Sequence, residues 1–224
     1  MTTSEKQLIR FGGLAFISAG VLFLAANLLI TTLPNPPAIE AEFSKWLSEN
    51  KINIAIQNEF LFFATVSLIP SAYVLYQLVK NRFTRSAVVG LGLMVMVIPT
   101  LAVLDIVEGR LVYPVYDISL SFELLKLVLS IYHGGMHAVL LLLAGAIIFT
   151  SYALRDTIFP QAHWYLGLIT GVSQIVGSYP WIIGLAVNLV AIVLFSAWLI
   201  LTGVTILQKA GQPGLATAQP TKAG

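Results

Sequence analysis

Glu123, Lys126, Ser130, His133 and His137 are the residues of this chain whose types and spacing could do chemistry. They stand three, four, three and four positions apart, so on a helix all five project from one face. His133-Gly134-Gly135-Met136-His137 is an HxxxH pair, and imidazoles one turn apart can share a divalent metal such as zinc. Two ligands do not make a site. The others would have to come from Glu59, Asp105 and Glu108, the acidic residues of earlier apolar segments. The same groups suit a polar cavity or packing network, with Gly134 and Gly135 admitting a neighbouring helix. They also suit a proton relay through Glu59, Asp105, His133 and His137. Histidines four apart on one helix cannot take opposite faces of a haem, so bis-histidine haem is not expected. No G-x-S-x-G elbow and no Gly-rich phosphate loop is present.

The elements that must position this stripe are apolar. Of 224 residues, 58% are hydrophobic and 10% charged, with a mean hydropathy of +0.88, whereas soluble domains carry about 25% charged residues. Such a chain is an all-α, polytopic membrane protein. Ionisable groups at the centre of a membrane helix cost roughly 2.5–3.5 kcal/mol each and therefore mark working sites. A net charge of +2 without a basic run gives nucleic acid no purchase. With no cysteine, disulfides, thiolate metal sites and cysteine nucleophiles are excluded.

Spanning the hydrocarbon takes about 20 mostly apolar residues. Six segments qualify: Phe11–Leu33, Ile54–Val79, Ala87–Val107, Leu124–Leu154, Trp164–Gly177 and Pro180–Leu207. The fifth is short, so five spans with a re-entrant hairpin at the end is the competing count. Residues 1–207 form one helical bundle, and 208–224, rich in Gly, Ala, Pro and Thr, form a disordered tail. Lys6, Arg10, Lys80, Arg82, Arg85, Arg155, Lys209 and Lys222 fall on one side, against Lys45, Lys51, Arg110 and Lys126 on the other. The positive-inside rule then puts both termini in the cytoplasm of a cell's inner membrane. In the first outer loop, Ile39, Phe43, Trp46 and Leu47 alternate with Glu40, Glu42, Lys45 and Glu49 at helical spacing, which predicts a short amphipathic helix. Gly167-x-x-x-Gly171, followed by Gln174 and Ser178, is a small-residue contact face with polar glue, and Asn27 and Asn188 would serve likewise.

Leu8-Ile9-Arg10-Phe11-Gly12-Gly13-Leu14, the Asn50–Gln77 segment, Tyr132-His133-Gly134-Gly135 and the run from Phe159-Pro160 to Leu168 resemble a family of bacterial six-helix integral membrane proteins known as a domain of unknown function. That resemblance implies a fold and no activity. HxxxH on a late helix with an Asp on an earlier one is similar to the membrane hydrolases of the alkaline-ceramidase type, which implies zinc near His133, His137 and Asp105. The chain departs from that pattern by having six segments instead of seven and no third histidine within the bundle, His163 lying at the opposite end.

These features predict a polar cavity in the outer half of the membrane, lined by Glu59, Asp105, Glu108, Glu123, Lys126, Ser130, His133 and His137. The function expected first is non-enzymatic: binding of a small amphipathic ligand or membrane lipid, or service as a subunit beside other membrane proteins. A metal-dependent hydrolase using His133 and His137 comes second. A small transporter comes third, weakened by the apolar inner half and the lack of an inverted repeat.

Overall fold

A computed structural model describes residues 3–80, 84–155 and 157–210. Those residues fold into α1 (Thr3–Thr31), α2 (Glu40–Val79), α3 (Arg85–Gly109), α4 (Phe122–Leu154), α5 (Gln161–Gly177), the single turn α6 (Pro180–Ile183) and α7 (Leu185–Lys209), with no strand among them. Local chemistry sets several of the ends. The Thr84 hydroxyl accepts the Ala87 N–H at 3.3 Å and caps α3. Pro160 precedes α5 and Pro180 opens α6. Gly184, at φ 78°, takes the left-handed backbone that breaks α6 from α7.

Five of these helices, α1, α2, α3, α4 and α7, are long and apolar enough to cross a membrane, and none has even half of its apolar stretch buried. Large apolar side chains such as Val95 (65% exposed) and Ile106 (66%) face outward. A soluble protein would not display so continuous an apolar surface. This is an all-helical, multi-pass membrane protein. The expected fifth span, α5, has 17 residues, about 25 Å of helix, and falls short of the length that defines the other five.

Each helix packs on its neighbour in sequence, and α7 closes on α1, so α1, α2, α3, α4, α5 and α7 form a closed ring. Gly13 of α1 meets Ile206 and Leu207 of α7, which places the start of α1 beside the end of α7. On α5, His163 bonds Thr202 at 3.1 Å while Gln174 bonds the Ala191 carbonyl at 2.7 Å, so α5 runs antiparallel to α7. It is antiparallel to α4 as well, with Gly167 against Ser151 and Gly171 against Ile148. Lys6, Arg10, Lys80, Arg85, Arg155 and Lys209 consequently share the end of the bundle that holds the described termini, and Lys45, Lys51, Arg110 and Lys126 lie at or beyond the other, distal end.

Two boundaries differ from expectation. The amphipathic segment of the first loop is not a separate helix. It forms the first turns of α2, which runs unbroken for 40 residues, about 60 Å, roughly twice the hydrocarbon thickness. Lys51-Ile52-Asn53-Ile54 contains neither Gly nor Pro, so nothing there stops the helix. Its start packs on the start of α4 through Phe43 and Phe122 (5.5 Å between rings), and Trp46 donates to the Pro34 carbonyl at 2.9 Å. The two helix starts make a cap over the distal end, with Leu111 and Val112 buried beneath. At the C-terminus α7 continues through Lys209, past the expected start of the tail, and 211–224 lie outside the described residues.

Candidate functional site

The distal ends of α2, α3 and α4 gather polar side chains that lipid could not satisfy. Gln57, Asn58 and Thr65 on α2, Asp105 and Glu108 on α3, and Tyr132 on α4 are all buried. Asn58 Nδ2 donates to the Asp105 carbonyl at 2.8 Å and to Glu108 Oε2 at 3.3 Å, tying α2 to α3. With its amide turned to donate, Gln57 reaches both Glu108 oxygens at 3.1 and 3.2 Å. Its other amide atom lies 3.4 Å from the Tyr132 hydroxyl on α4. Thr65 donates to the Leu61 carbonyl at 2.8 Å and faces Asp105 Oδ2 at 3.4 Å. Buried polar groups of this density persist only when their partners are inside the protein.

Three spaces open around this network. A cleft of about 350 Å³ between α2 and α3 is lined by Asn58, Glu59, Phe62, Asp105, Arg110 and Tyr113 among others. Tyr113 donates to Glu59 Oε1 at 2.7 Å across it. Desolvation, with the Glu59 carboxylate beside it, pushes the Tyr113 phenol up to about 12. A second cavity, about 140 Å³, lies under Pro34-Asn35-Pro36 and takes in Trp46, Glu108 and His133. The third, about 70 Å³, lies on the ring axis, where Asn27, Gln57, Tyr132, Gln174 and Asn188 interrupt an apolar wall drawn from all six ring helices.

The expected site residues are thus distributed. Glu59 and Asp105 share the α2–α3 cleft, and Glu108 and His133 share the cavity under the proline loop. Glu123 and Lys126 pair with each other at 3.2 Å on the exposed cap, with the ammonium over the Phe122 ring. Ser130 is exposed. His137 leaves the group altogether: its Nδ1 lies 2.7 Å from the Ser178 carbonyl, and its ring packs on Tyr179 and Trp181. That contact occupies a carbonyl at the end of α5, as Asn188 does for the Gly177 carbonyl at 3.0 Å. Gly135 touches Leu104, whereas Gly134 faces open space, so one glycine of the pair is needed for packing. Among the described residues no three His, Asp or Glu side chains converge as a metal centre requires. The four residues missed in the sequence, Gln57, Asn58, Thr65 and Tyr132, carried a signal of their own. Gln57-Asn58-Glu59 is a polar triplet inside an apolar segment.

No family model, no curated protein and no solved structure matches this chain. The chemistry of the site must therefore be read from its own atoms. Two of those atoms are decisive. Asp105 is 2% exposed, lines the α2–α3 cleft, and its Oδ1 has no hydrogen-bond partner; Nη1 of Arg110, on the same cleft, is also buried without one. Ion pairs form elsewhere, at Lys45–Glu49 and Lys126–Glu123. The wall beside these atoms is apolar and open, with Phe62 and Ile106 both exposed. Such a cleft offers an acceptor and a donor to a polar group while presenting hydrocarbon to whatever that group is attached to.

Proposed function

We propose that this protein binds a small amphipathic molecule or membrane lipid, non-enzymatically, with the polar end in the α2–α3 cleft and the apolar end along Phe62 and Ile106. The observation that carries the reading is the unpartnered Asp105 Oδ1 on a cleft with an exposed apolar wall. An unsatisfied buried acceptor costs about 1–3 kcal/mol, and more when charged, which a ligand donor would offset. The setting is a six-pass inner-membrane protein with cytoplasmic termini. Support for the sixth pass comes from α5, which returns the chain between α4 and α7. Support for the orientation comes from the gathering of basic residues at the end that holds the termini. The cleft would then lie in the outer half of the membrane.

The hydrolase reading draws no support from the geometry, because His133 and His137 have different neighbours and, among the described residues, gain no convergent third ligand.

Mass spectrometry of the protein extracted in mild detergent tests the binding reading. An amphiphile retained at about one per chain is expected, and it should be lost from Gly109→Leu, whose side chain would fill the cleft. Equal retention by a folded Gly109→Leu protein would sink the assignment.

A further inference from the structure

The cleft presents unpaired groups of both signs, and this restricts the headgroup it takes. We infer that the ligand is a zwitterionic aminolipid, one whose headgroup combines a primary ammonium with an anionic oxygen, as in an ethanolamine phospholipid. The inference rests on the binding reading above.

Asp105 Oδ1 is buried and unpartnered, and Oδ2 has only the Thr65 hydroxyl at 3.4 Å. Glu59 sits on the same cleft with Tyr113 as its donor, and the second buried carboxylate, Glu108, is tied through Asn58 to the Asp105 backbone. Two carboxylates therefore face the cleft and a third stands behind it. Among the described residues Arg110 is the one guanidinium on the cleft; it pairs with none of these carboxylates, and its Nη1 is buried without a partner. An anionic headgroup would occupy Arg110 and offer Asp105 at most a neutral hydroxyl, without the opposite charge. A purely cationic one would do the reverse. A headgroup carrying both charges supplies the missing partner at each end, and charge-assisted contacts are the strong ones.

The cation must also bear N–H. What Asp105 lacks is a hydrogen-bond donor, and a quaternary ammonium offers charge without one. Aromatic rings, which bind quaternary ammonium by cation–π contact, are not gathered here in a cage; Phe62 and Tyr113 are the aromatic residues of this wall. Arg110 suits the anionic end, since a guanidinium can bind two phosphate oxygens at once. That the headgroup is attached to a lipid, and is not a free solute, follows from the open apolar wall of Phe62, Ile106 and Val115.

The test is reconstitution of the full chain in bilayers of equal parts ethanolamine, choline and glycerol phospholipids, followed by mild extraction and quantification of the lipid retained. Ethanolamine lipid should be enriched about tenfold or more over choline lipid, the expected ratio for one charge-assisted hydrogen bond. Asp105→Asn should abolish that preference while leaving residual phospholipid, and Arg110→Gln should reduce all three lipids together. Glu123→Gln, on the exposed cap, should change neither ratio. Equal retention of ethanolamine and choline lipids overturns the N–H requirement, and preferential retention of glycerol lipid overturns the ammonium. Displacement of retained lipid by soluble glycerophosphoethanolamine as effective as the intact lipid would overturn the lipid source. Retention of no lipid of any kind removes the binding reading itself, a result distinct from the wrong headgroup. Should Asp105→Asn fail to fold, Arg110→Gln and the wild-type ratios still decide the matter.

Discussion

The two ends of this bundle are held together by different means. From the termini to mid-bundle, α1 meets α7 and α2 by close approach to their backbones. A side chain at Gly203 would run into the Gly13 carbonyl, one at Gly20 into the Ser196 carbonyl, and one at Gly12 into Val74 and the Pro70 carbonyl. Trp198 is fully buried among them and donates to Ser151 at 3.1 Å. At the distal end the helices are joined through side chains, by Asn58, Gln57, Glu108 and Tyr132, and spaces remain between them. Lipid tails are as apolar as leucine, so burial of apolar surface does little to drive helices together in a bilayer. Close approach and internal hydrogen bonds are the remaining means. The first makes a tight seam of α1 with α7 and α2, although an apolar cleft of about 530 Å³ opens at the same end between α3, α4 and α5. The second lines the spaces it leaves with polar side chains, and the candidate site is one of those spaces.

The largest effect expected from this contrast is at the seam. Gly203→Val would press a branched side chain on the Gly13 carbonyl and the Ile17 backbone N–H as well as the Ile17 side chain, and the backbone atoms cannot give way. Overpacking of this kind costs about 3 kcal/mol, and the folded yield in detergent should fall sharply. Gly134→Ala, on a helix face with open space beside it, should be neutral or slightly stabilising. Similar melting temperatures for the two variants would show that the seam is looser than its glycines imply.

The distal network should rank next. Asn58→Leu removes the donor to the Asp105 carbonyl and leaves the buried Glu108 with Gln57 as its remaining donor across α2 and α3. Loss of about 2 kcal/mol is expected by denaturant titration in mixed micelles. A change below a few tenths would mean that water replaces the amide, and that the network is wet.

Much of this architecture is legible in the sequence. Apolar length gave six segments; five of them correspond to helices long enough to cross a membrane, and the remaining one, Trp164–Gly177, was the segment marked as short. Asp105, Glu108 and Glu59 stood out because charge inside an apolar segment is costly wherever it occurs. The stripe from Glu123 to His137 was less informative than its periodicity implied. A helical face is a property of one helix, whereas a site depends on what the neighbouring helices bring to it. The first turns of α4 rise beside the extended start of α2, so Glu123 and Lys126 end in a solvated pair. The length of α2 was hidden for a related reason. Membrane-span counting stops where charge begins, although a helix stops only where Gly, Pro or a cap ends it.

The cap supplies a smaller effect. Trp46→Phe keeps an aromatic ring against Phe43 but removes the indole donor to the Pro34 carbonyl. About 1 kcal/mol should be lost, with faster amide exchange in the loop between α1 and α2. Unchanged exchange there would mean that ring packing alone holds the loop.

The smallest effect should come from two members of the polar stripe that the sequence put at the centre of the chemistry. Lys126 and Glu123 meet at 3.2 Å with side chains 47% and 77% exposed, three residues apart on one helix. Exposed pairs of this kind contribute about 0–0.5 kcal/mol and weaken further with salt. Lys126→Met removes the pair and the cation over Phe122 together, and methionine keeps the packing of the stem. The melting temperature should move by no more than a degree or two, and ligand retention by the α2–α3 cleft should be unchanged. A larger loss of retention would place the start of α4 within the site, and would redraw the line between the solvated cap and the buried network beneath it.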